Sequence, residues 1–566
     1  MRIPEQHKAL VDFALGLVEI CRVSQATRAS AYRSYGQWIE TGRENGGLGT
    51  ANLLSSHLDR LQSHIFLPDN LRFTIDFENL YEKVKYDQAD TSARVLTREW
   101  ERRNIDTVFA EGVLESLKYG SSIPKLLIHP THSDDGPQYS MSARLVSPWN
   151  FGVYNEAVTG LDDQEACCET VFLSKHEVWR RVAHLPEAEK LFKTIISASN
   201  KDVGAGAQPV AMHQVLSTAV LQTNLQNATT PQPGGIVQLT SNPNYASLGP
   251  MVAADLIPMH ELWVKDDRLG DYTTIQLIEP NIIVAPRLKY TNLFCPDTLP
   301  YGLIQPNKVA NYFWGQSEIK NLMMLQSLMN DTLDDTQRLY KAQFDKILGF
   351  TGFEGLDDEA YDQMRAGGYI AMPQGSDIKD VTPKLPEQAL QYIGLIQELF
   401  DRVAGFPNVL SGKGEAGVRA GSHADVLLRT ASPKLRNMAL TVERQCAELA
   451  DKSFAAMQAK DARVWWIGEK SSEDTDFLLE QLPDDRRVCI DSHSSSPIYM
   501  EDHQQLIAFG LKSEILGPEY AIDNLPFPEK EKAKLELRAR EEKRNAMLAA
   551  HPELLQEAIT GKKPKK

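Results

Sequence analysis

Leu10, Phe13, Ala14, Leu17, Val18 and Cys21 recur at the three-to-four-residue spacing that lines one side of a helix, so the chain is expected to open with a buried helical face. A second helical pattern runs from Asp87 to Lys118. It breaks near Asn104 and ends at Tyr119-Gly120, the usual place for a terminating glycine. Ile123 to His129 and Arg144 to Tyr154 read as strands, as do Leu262 to Lys265 and Thr273 to Val284, rich in Ile, Val, Thr and Tyr. These strands are expected to share a sheet, and the region reads as a mixed α/β domain.

From Tyr312 onward the pattern changes. Ser317 is placed to cap a helix whose apolar positions Ile319, Leu322, Met323, Leu325, Met329, Leu333, Tyr340 and Phe344 continue for about 25 residues, with Asp331, Asp334, Asp335 and Lys341 on its polar side. A compact unit follows: strand-like Ile347 to Thr351, a short helix over Asp357 to Arg365, Gly367-Gly368, and strand-like Tyr369 to Met372. A second helix is expected from Pro386 to Val403, with proline in a first turn where its missing N–H costs nothing. Beyond it, Ser411 to Gly421 is glycine-rich with charges but no large side chain. A helix capped by Ser422 then runs to Ala459, and Pro433 inside it predicts a kink.

Length and charge sharpen this picture. At 566 residues the chain exceeds one compact core and calls for several modules. Its formal net charge of −16 is the wrong sign for a protein that grips nucleic acid nonspecifically. Between Val203 and Ala254, 52 residues contain no Asp, Glu, Lys or Arg; such a stretch is either mobile or packed against another subunit. Residues 528–566 reverse the balance, with 11 basic against 7 acidic residues, a local +4, and read as a solvated helix followed by a basic tail. No apolar run reaches the roughly 20 residues of a bilayer span, and residues 1–21 lack the unbroken apolar core of a secretory signal. The six cysteines show no C-x-x-C spacing, so a reduced compartment fits best.

Chemical motifs are sparse. Gly412-Lys-Gly-Glu-Ala-Gly417 matches G-x-G-x-x-G, but no clear strand precedes it and Gly421 delays the next helix, so a flexible loop competes with a dinucleotide site. There is no G-x-x-x-x-G-K-[ST], which leaves ATP-driven work to a partner. His176-Glu177 and His260-Glu261 lack the second histidine of H-E-x-x-H. The acidic pairs at Asp134, Asp162, Asp357 and Asp484 sit in turn-rich contexts where solvated turns compete with a metal-binding carboxylate set.

The order of helix, small α/β insertion, helix, glycine-rich loop and long kinked helix resembles the portal (head-to-tail connector) proteins of tailed double-stranded DNA bacteriophages. Phe313-Trp-Gly-Gln-Ser-Glu-Ile319, Phe406 to His423 around Ser411-Gly412, Leu117-Lys-Tyr-Gly120 and Val146-Ser-Pro-Trp-Asn-Phe151 carry the likeness, which covers about 87–460. The resemblance implies an α+β, portal-type fold. Its parts would be a mixed α/β wing (1–311, with the uncharged loop 203–254), stem helix 1 (312–344), clip (345–384) and stem helix 2 (385–406). A tunnel loop (407–421), a long wing helix (422–460) kinked at Pro433, a wing return (461–527) and a helical crown with basic tail (528–566) would follow.

The resemblance further implies a non-enzymatic, cofactor-free and metal-free subunit of a dodecameric ring at one capsid vertex of the virion, assembled in the host cytoplasm. The ring would be the channel for packaging and ejecting double-stranded DNA, with no membrane partner. Its implied partners are the terminase large subunit, the major capsid and scaffolding proteins, and tail adaptor proteins. Gly412, Lys413, Gly414, Glu415, Gly417, Arg419 and Gly421 would line the channel, and Phe350, Phe353, Tyr361 and Tyr369 of the clip would be docking anchors. An oligomeric helical adaptor or scaffold, or a nucleotide-binding enzyme using Gly412 to Gly417, are the other readings.

Overall fold

A computed structural model of the chain describes residues 1–43, 51–76, 83–133, 136–202, 210–211, 251–252, 256–289 (without 269 and 279–281), 299–344, 348–351, 375–380 (without 376), 389–405, 433–459, 486–490 and parts of 506–543. Helix α1 (His7–Thr41) ends at Gly42, whose positive φ of 69° lets its N–H reach Trp38 O. Helix α2 (Leu53–Ile65) is capped by Asn52, which accepts from Ser55 N–H. Strand β1 (Phe73–Asp76) precedes α3 (Lys83–Arg102) and α4 (Ile105–Tyr119), the expected interrupted helix. Asn104 at φ 52° makes the break and Gly120 at φ 94° the stop.

Strands β2 (Ile123–Ser133) and β3 (Gly136–Val146) form a long antiparallel hairpin, in register from Ile123–Val146 to Ser133–Gly136. The expected strand from Arg144 to Tyr154 is divided: Pro148, which has no N–H for a ladder, opens a 3-10 turn before β4 (Phe151–Val153). Then come β5 (Ala166–Leu173), α5 (Lys175–Val182) and α6 (Ala188–Asp202). Of the uncharged stretch, the short antiparallel pair β6 (Val210–Ala211) and β7 (Met251–Val252) is described. Strand β8 (Ile257–Lys265) follows, and the single strand expected over Thr273 to Val284 is two, β9 (Tyr272–Ile278) and β10 (Ile282–Lys289), either side of Glu279-Pro280.

The sheet is antiparallel with order β10-β9-β8-β5-β4, so the later strands do meet β4 and β5 of the first region, but the expected strands Ile123 to His129 and Arg144 to Val146 are not part of it, because β2 and β3 pair with each other along their whole length as a separate sheet. Both of its faces are covered, which is why β5 and β8 are nearly continuously buried rather than alternating. Leu10, Ala14, Leu17, Val18 and Cys21 of α1 lie on one face against Ala166, Cys168, Leu262 and Leu277. The other face meets Phe151, Tyr301, Phe313 and Trp314 through Cys167, Trp263 and Tyr272.

Helix α7 (Met323–Phe344) and helix α8 (Ala389–Ala404) touch one another, and between them in sequence strands β11 (Leu348–Thr351) and β12 (Asp377–Asp380) pair antiparallel. Helix α9 (Pro433–Ala459) and strand β13 (Arg487–Ile490) complete the described elements, β13 pairing antiparallel with β1 from Phe73–Ile490 to Asp76–Arg487. One apolar core joins α2, α3, α4 and α9, with Trp100, Phe109, Leu449 and Phe454 at its centre. It also takes in Ile319 and Leu322 at the root of α7 and Phe400 and Ala404 of α8. The described chain is thus a mixed α/β body in which the two-helix unit is rooted in the main core.

Candidate assembly surface

The segment leading into α7 is fixed by backbone contact. Gly315 lies so close to Gly120 that a Cβ on either would overlap the other's carbonyl oxygen, and Gly315 N–H donates to Ser121 Oγ at 2.9 Å. Ser317 does not cap a helix as its position suggests: its hydroxyl donates 2.6 Å to Lys118 O, and a 3-10 turn, Glu318–Asn321, precedes α7. Phe313 and Trp314 are buried, while Trp149 stacks edge-on with Tyr119 at 5.2 Å. Leu117 to Gly120, Val146 to Phe151 and Phe313 to Ile319, far apart in sequence, therefore converge on one joint at the end of α4.

Polar residues hold the first turns of α7. Gln326 donates from Nε2 to Ala51 O (2.6 Å) and accepts Leu53 N–H at Oε1 (3.0 Å), and Asn330 donates to Gly42 O (2.6 Å). Both are buried, and each satisfies a backbone group at the α1–α2 connection. Arg43 adds an ion pair of 2.5 Å to Asp334.

Helix α8 is apolar on two adjacent sides. Ile396, Phe400 and Ala404, four residues apart, are buried. One position back, Leu395, Leu399 and Val403 form a second stripe, which Tyr392, three residues ahead of Leu395, extends; Tyr392, Leu395, Leu399 and Val403 are 45, 49, 39 and 45% exposed. On α7, Met324 is 79% and Leu328 38% exposed. Glu398 and Arg402 pair with one another at 2.6 Å on α8. Fully burying a side chain of this size is worth roughly 1.5–3 kcal/mol, so a face like this gains appreciably from being covered.

Other expected site residues are placed as follows. Phe350 is on β11, opposite Ile378 of β12. Phe353, Tyr361 and Tyr369, and Gly412, Lys413, Gly414, Glu415, Gly417, Arg419 and Gly421, lie outside the described residues, as do Asp134, Asp357 and Asp484. Pro433 is the first residue of α9 as described; residues 422–432, and with them the expected kink, are outside. Glu177 closes a capping box with Ser174, and buried His260 bonds Arg22 and Thr170. Among the described residues no cluster of His, Cys, Asp or Glu is arranged to hold a metal, and no helix is long and apolar enough to cross a membrane.

Two buried charge clusters escaped the sequence reading. In the body, Lys125 Nζ donates to Glu169 Oε2 (2.7 Å) and Glu261 Oε1 (2.6 Å), Arg144 pairs with Glu169, and Tyr301 donates to Glu169 Oε2 (2.8 Å). Burial alone would raise the Glu169 carboxyl, but Lys125 and Arg144 outweigh it and hold it below the ordinary carboxylate value. Two cations balance two carboxylates here, so no charge in the cluster is left buried without a counter-charge. Cys167 and Cys168 beside it point to opposite faces of the sheet, and burial pushes both thiols well above their usual value. A lysine inside the apolar run Ile123 to Ile128 was the available sign of this cluster. The second cluster is at the root of α7: Glu318 accepts from Asn307 (2.8 Å), pairs with Lys434, and lies 3.7 Å from His57.

No protein-family model and no curated protein matches the chain.

Proposed function

We propose that the chain is the subunit of a portal-type ring, a non-enzymatic channel through which double-stranded DNA is packaged and released, with stem formed by α7 and α8 and clip by the insertion between them. The observation that carries this reading is the bare apolar stripe Tyr392, Leu395, Leu399 and Val403 on a helix that already uses its neighbouring stripe to root itself in the core. A ring supplies a second subunit to cover it, because a rotationally repeated contact presents an unlike face of the next copy to each stripe. The strand pair β11–β12 supports the reading of the insertion as a small unit closed upon itself, and the net charge of −16 suits a channel that must not hold phosphate tightly. Terminase, capsid, scaffolding and tail adaptor proteins are the proposed partners, and the virion vertex the proposed location.

Electron microscopy of the purified protein is the direct test. Closed rings with an axial hole are the expected result. A monomer that persists at micromolar concentration, or filaments and open bundles without a hole, would refute the portal reading and favour a helical adaptor.

A further inference from the structure

The β2–β3 hairpin has two long edges, and hydrogen bonds at its base reveal which backbone groups face outward from each. Ser122 N–H donates to Ile304 O at 3.0 Å, Gly302 N–H to Pro124 O at 2.8 Å and Leu126 N–H to Pro300 O at 2.8 Å, so the even-numbered residues of β2 turn their backbone groups away from β3. The odd-numbered ones therefore face β3, where the register sets Ile123 against Val146 and Lys125 against Arg144. On β3 the even-numbered residues are thus engaged, and Pro137, Tyr139, Met141, Ala143 and Leu145 face outward. Beyond Leu126 the outer edge of β2 is interrupted by Pro130, which has no N–H to offer. Edge strand β10 is likewise broken, with two register shifts and Pro286 within it. The outer edge of β3 has its proline only near the tip, at position 137, and among the described residues no backbone group pairs with the row from Tyr139 to Leu145. Ser140 and Ser142 to Leu145 are half-buried.

We infer that this row is a strand-addition edge whose occupant is the same edge of a second copy, the two β3 strands running antiparallel about a two-fold axis at Ser142. The register is self-complementary. Tyr139 then meets Leu145 of the second copy and Met141 meets its Ala143, so every outward N–H and C=O from Tyr139 to Leu145 finds a counterpart, about eight hydrogen bonds in all. Pro137, the outward-facing residue unable to donate, falls opposite Ser147, where the chain leaves the strand for the 3-10 turn that Pro148 opens, so it lies just outside the ladder. Arg144 is the one charged residue between 136 and 146, and it falls opposite Ser140 instead of its own counterpart, which spares the contact a like-charge pair. A two-fold contact cannot repeat around a ring. It joins two free subunits or two rings, and it does not rest on the α8 stripe.

Cross-linking of the full chain tests it. On the two-fold axis Ser142 and its counterpart form a non-hydrogen-bonded pair with Cα atoms about 4.5 Å apart, close enough for a disulfide. Ser142→Cys treated with oxidised glutathione should therefore give a covalent dimer on a non-reducing gel, above the wild-type baseline. Ser140→Cys, on the same side of the strand but opposite Arg144, should give about one fifth as much or less. Adding Ala143→Pro removes an outward N–H without touching the ladder to β2, so it should abolish the Ser142→Cys dimer and leave the urea midpoint unchanged. Leu395→Glu with Leu399→Glu should leave the dimer as it is. The inference is overturned by no dimer at Ser142→Cys, by equal cross-linking at Ser140→Cys, by a dimer that survives Ala143→Pro in a folded variant, or by loss of the dimer when the α8 stripe is changed. The comparison of Ser142→Cys with Ser140→Cys decides the matter even if the proline variant fails to fold.

Discussion

Gly315 has an ordinary backbone twist but no room for a side chain, because the carbonyl of Gly120 occupies the space a Cβ would need. Gly315→Ala should therefore force two backbone segments apart and cost about 2 kcal/mol or more, measured as a loss in urea unfolding, while Gly270→Ala, with open space around it, should cost only its positive φ of 71°. Glu115 offers a different residue-scale test. Burial pushes its carboxyl up to about 7 from 4.5, only partly opposed by the Ser122 hydroxyl that donates to it at 2.8 Å. The unfolded chain gives up this proton at lower pH than the native protein does. Stability accordingly falls as pH rises from about 4.5 to about 7 and stays reduced above it. Glu115→Gln keeps an acceptor for Ser122 without the charge, so it should stabilise the protein at about pH 8 and make no difference below about pH 4.5. Denaturation midpoints at the two pH values decide it.

At the scale of elements, the stripe on α8 makes the clearest prediction. Leu395→Glu with Leu399→Glu changes side chains that are already solvent-exposed, so the subunit's own unfolding should shift by no more than about 0.5 kcal/mol per site. Assembly should nevertheless fail, seen by light scattering after size exclusion as a fall to monomer. Unchanged assembly would show that the stripe is not an interface. This element also shows how far local reading reaches. The break and the stop of helices α3 and α4 were legible because Asn104 and Gly120 act through their own backbone angles, whereas the start of α3, at Lys83 and not Asp87, was not. Ser317 was misread because its hydroxyl answers to Lys118, 199 positions away, which no window along the chain contains. For α8 the periodicity identified a helix, but two apolar stripes side by side do not say which one the core takes. The clusters around Glu169 and Glu318 were hidden for the same reason, since Lys125 is 44 residues from Glu169 and 136 from Glu261, and Lys434 lies 116 residues from Glu318.

At the scale of the whole molecule, the sparse basic residues of the glycine-rich sequence bear on the proposed channel. In a portal-type ring every subunit would contribute Lys413 and Arg419, and contacts repeated around a ring sum even when each is weak. Lys413→Ala with Arg419→Ala should leave ring formation intact and impair DNA translocation or retention in a packaging assay. Normal packaging and retention by that double variant would remove these side chains from the mechanism, while leaving the ring itself untouched.

The pairing of β1 with β13 has a consequence for biosynthesis. Phe73 and Ile490 are neighbours in the ladder, and the main core collects residues from Trp38 to Val488. A ribosome adding about 5–20 residues per second needs on the order of half a minute to supply the second strand after the first. During that interval the edge of β1 and the core formed by α2, α3 and α4 lack the cover that β13 and α9 supply, which is the condition under which nascent chains stick to one another or recruit chaperones. The chain thus closes its body only after α7 and α8 have already emerged, with the half-exposed apolar stripe of α8 beside other nascent chains on the same message. Timing, and not affinity alone, then determines whether neighbouring chains meet as finished bodies or as tangled intermediates.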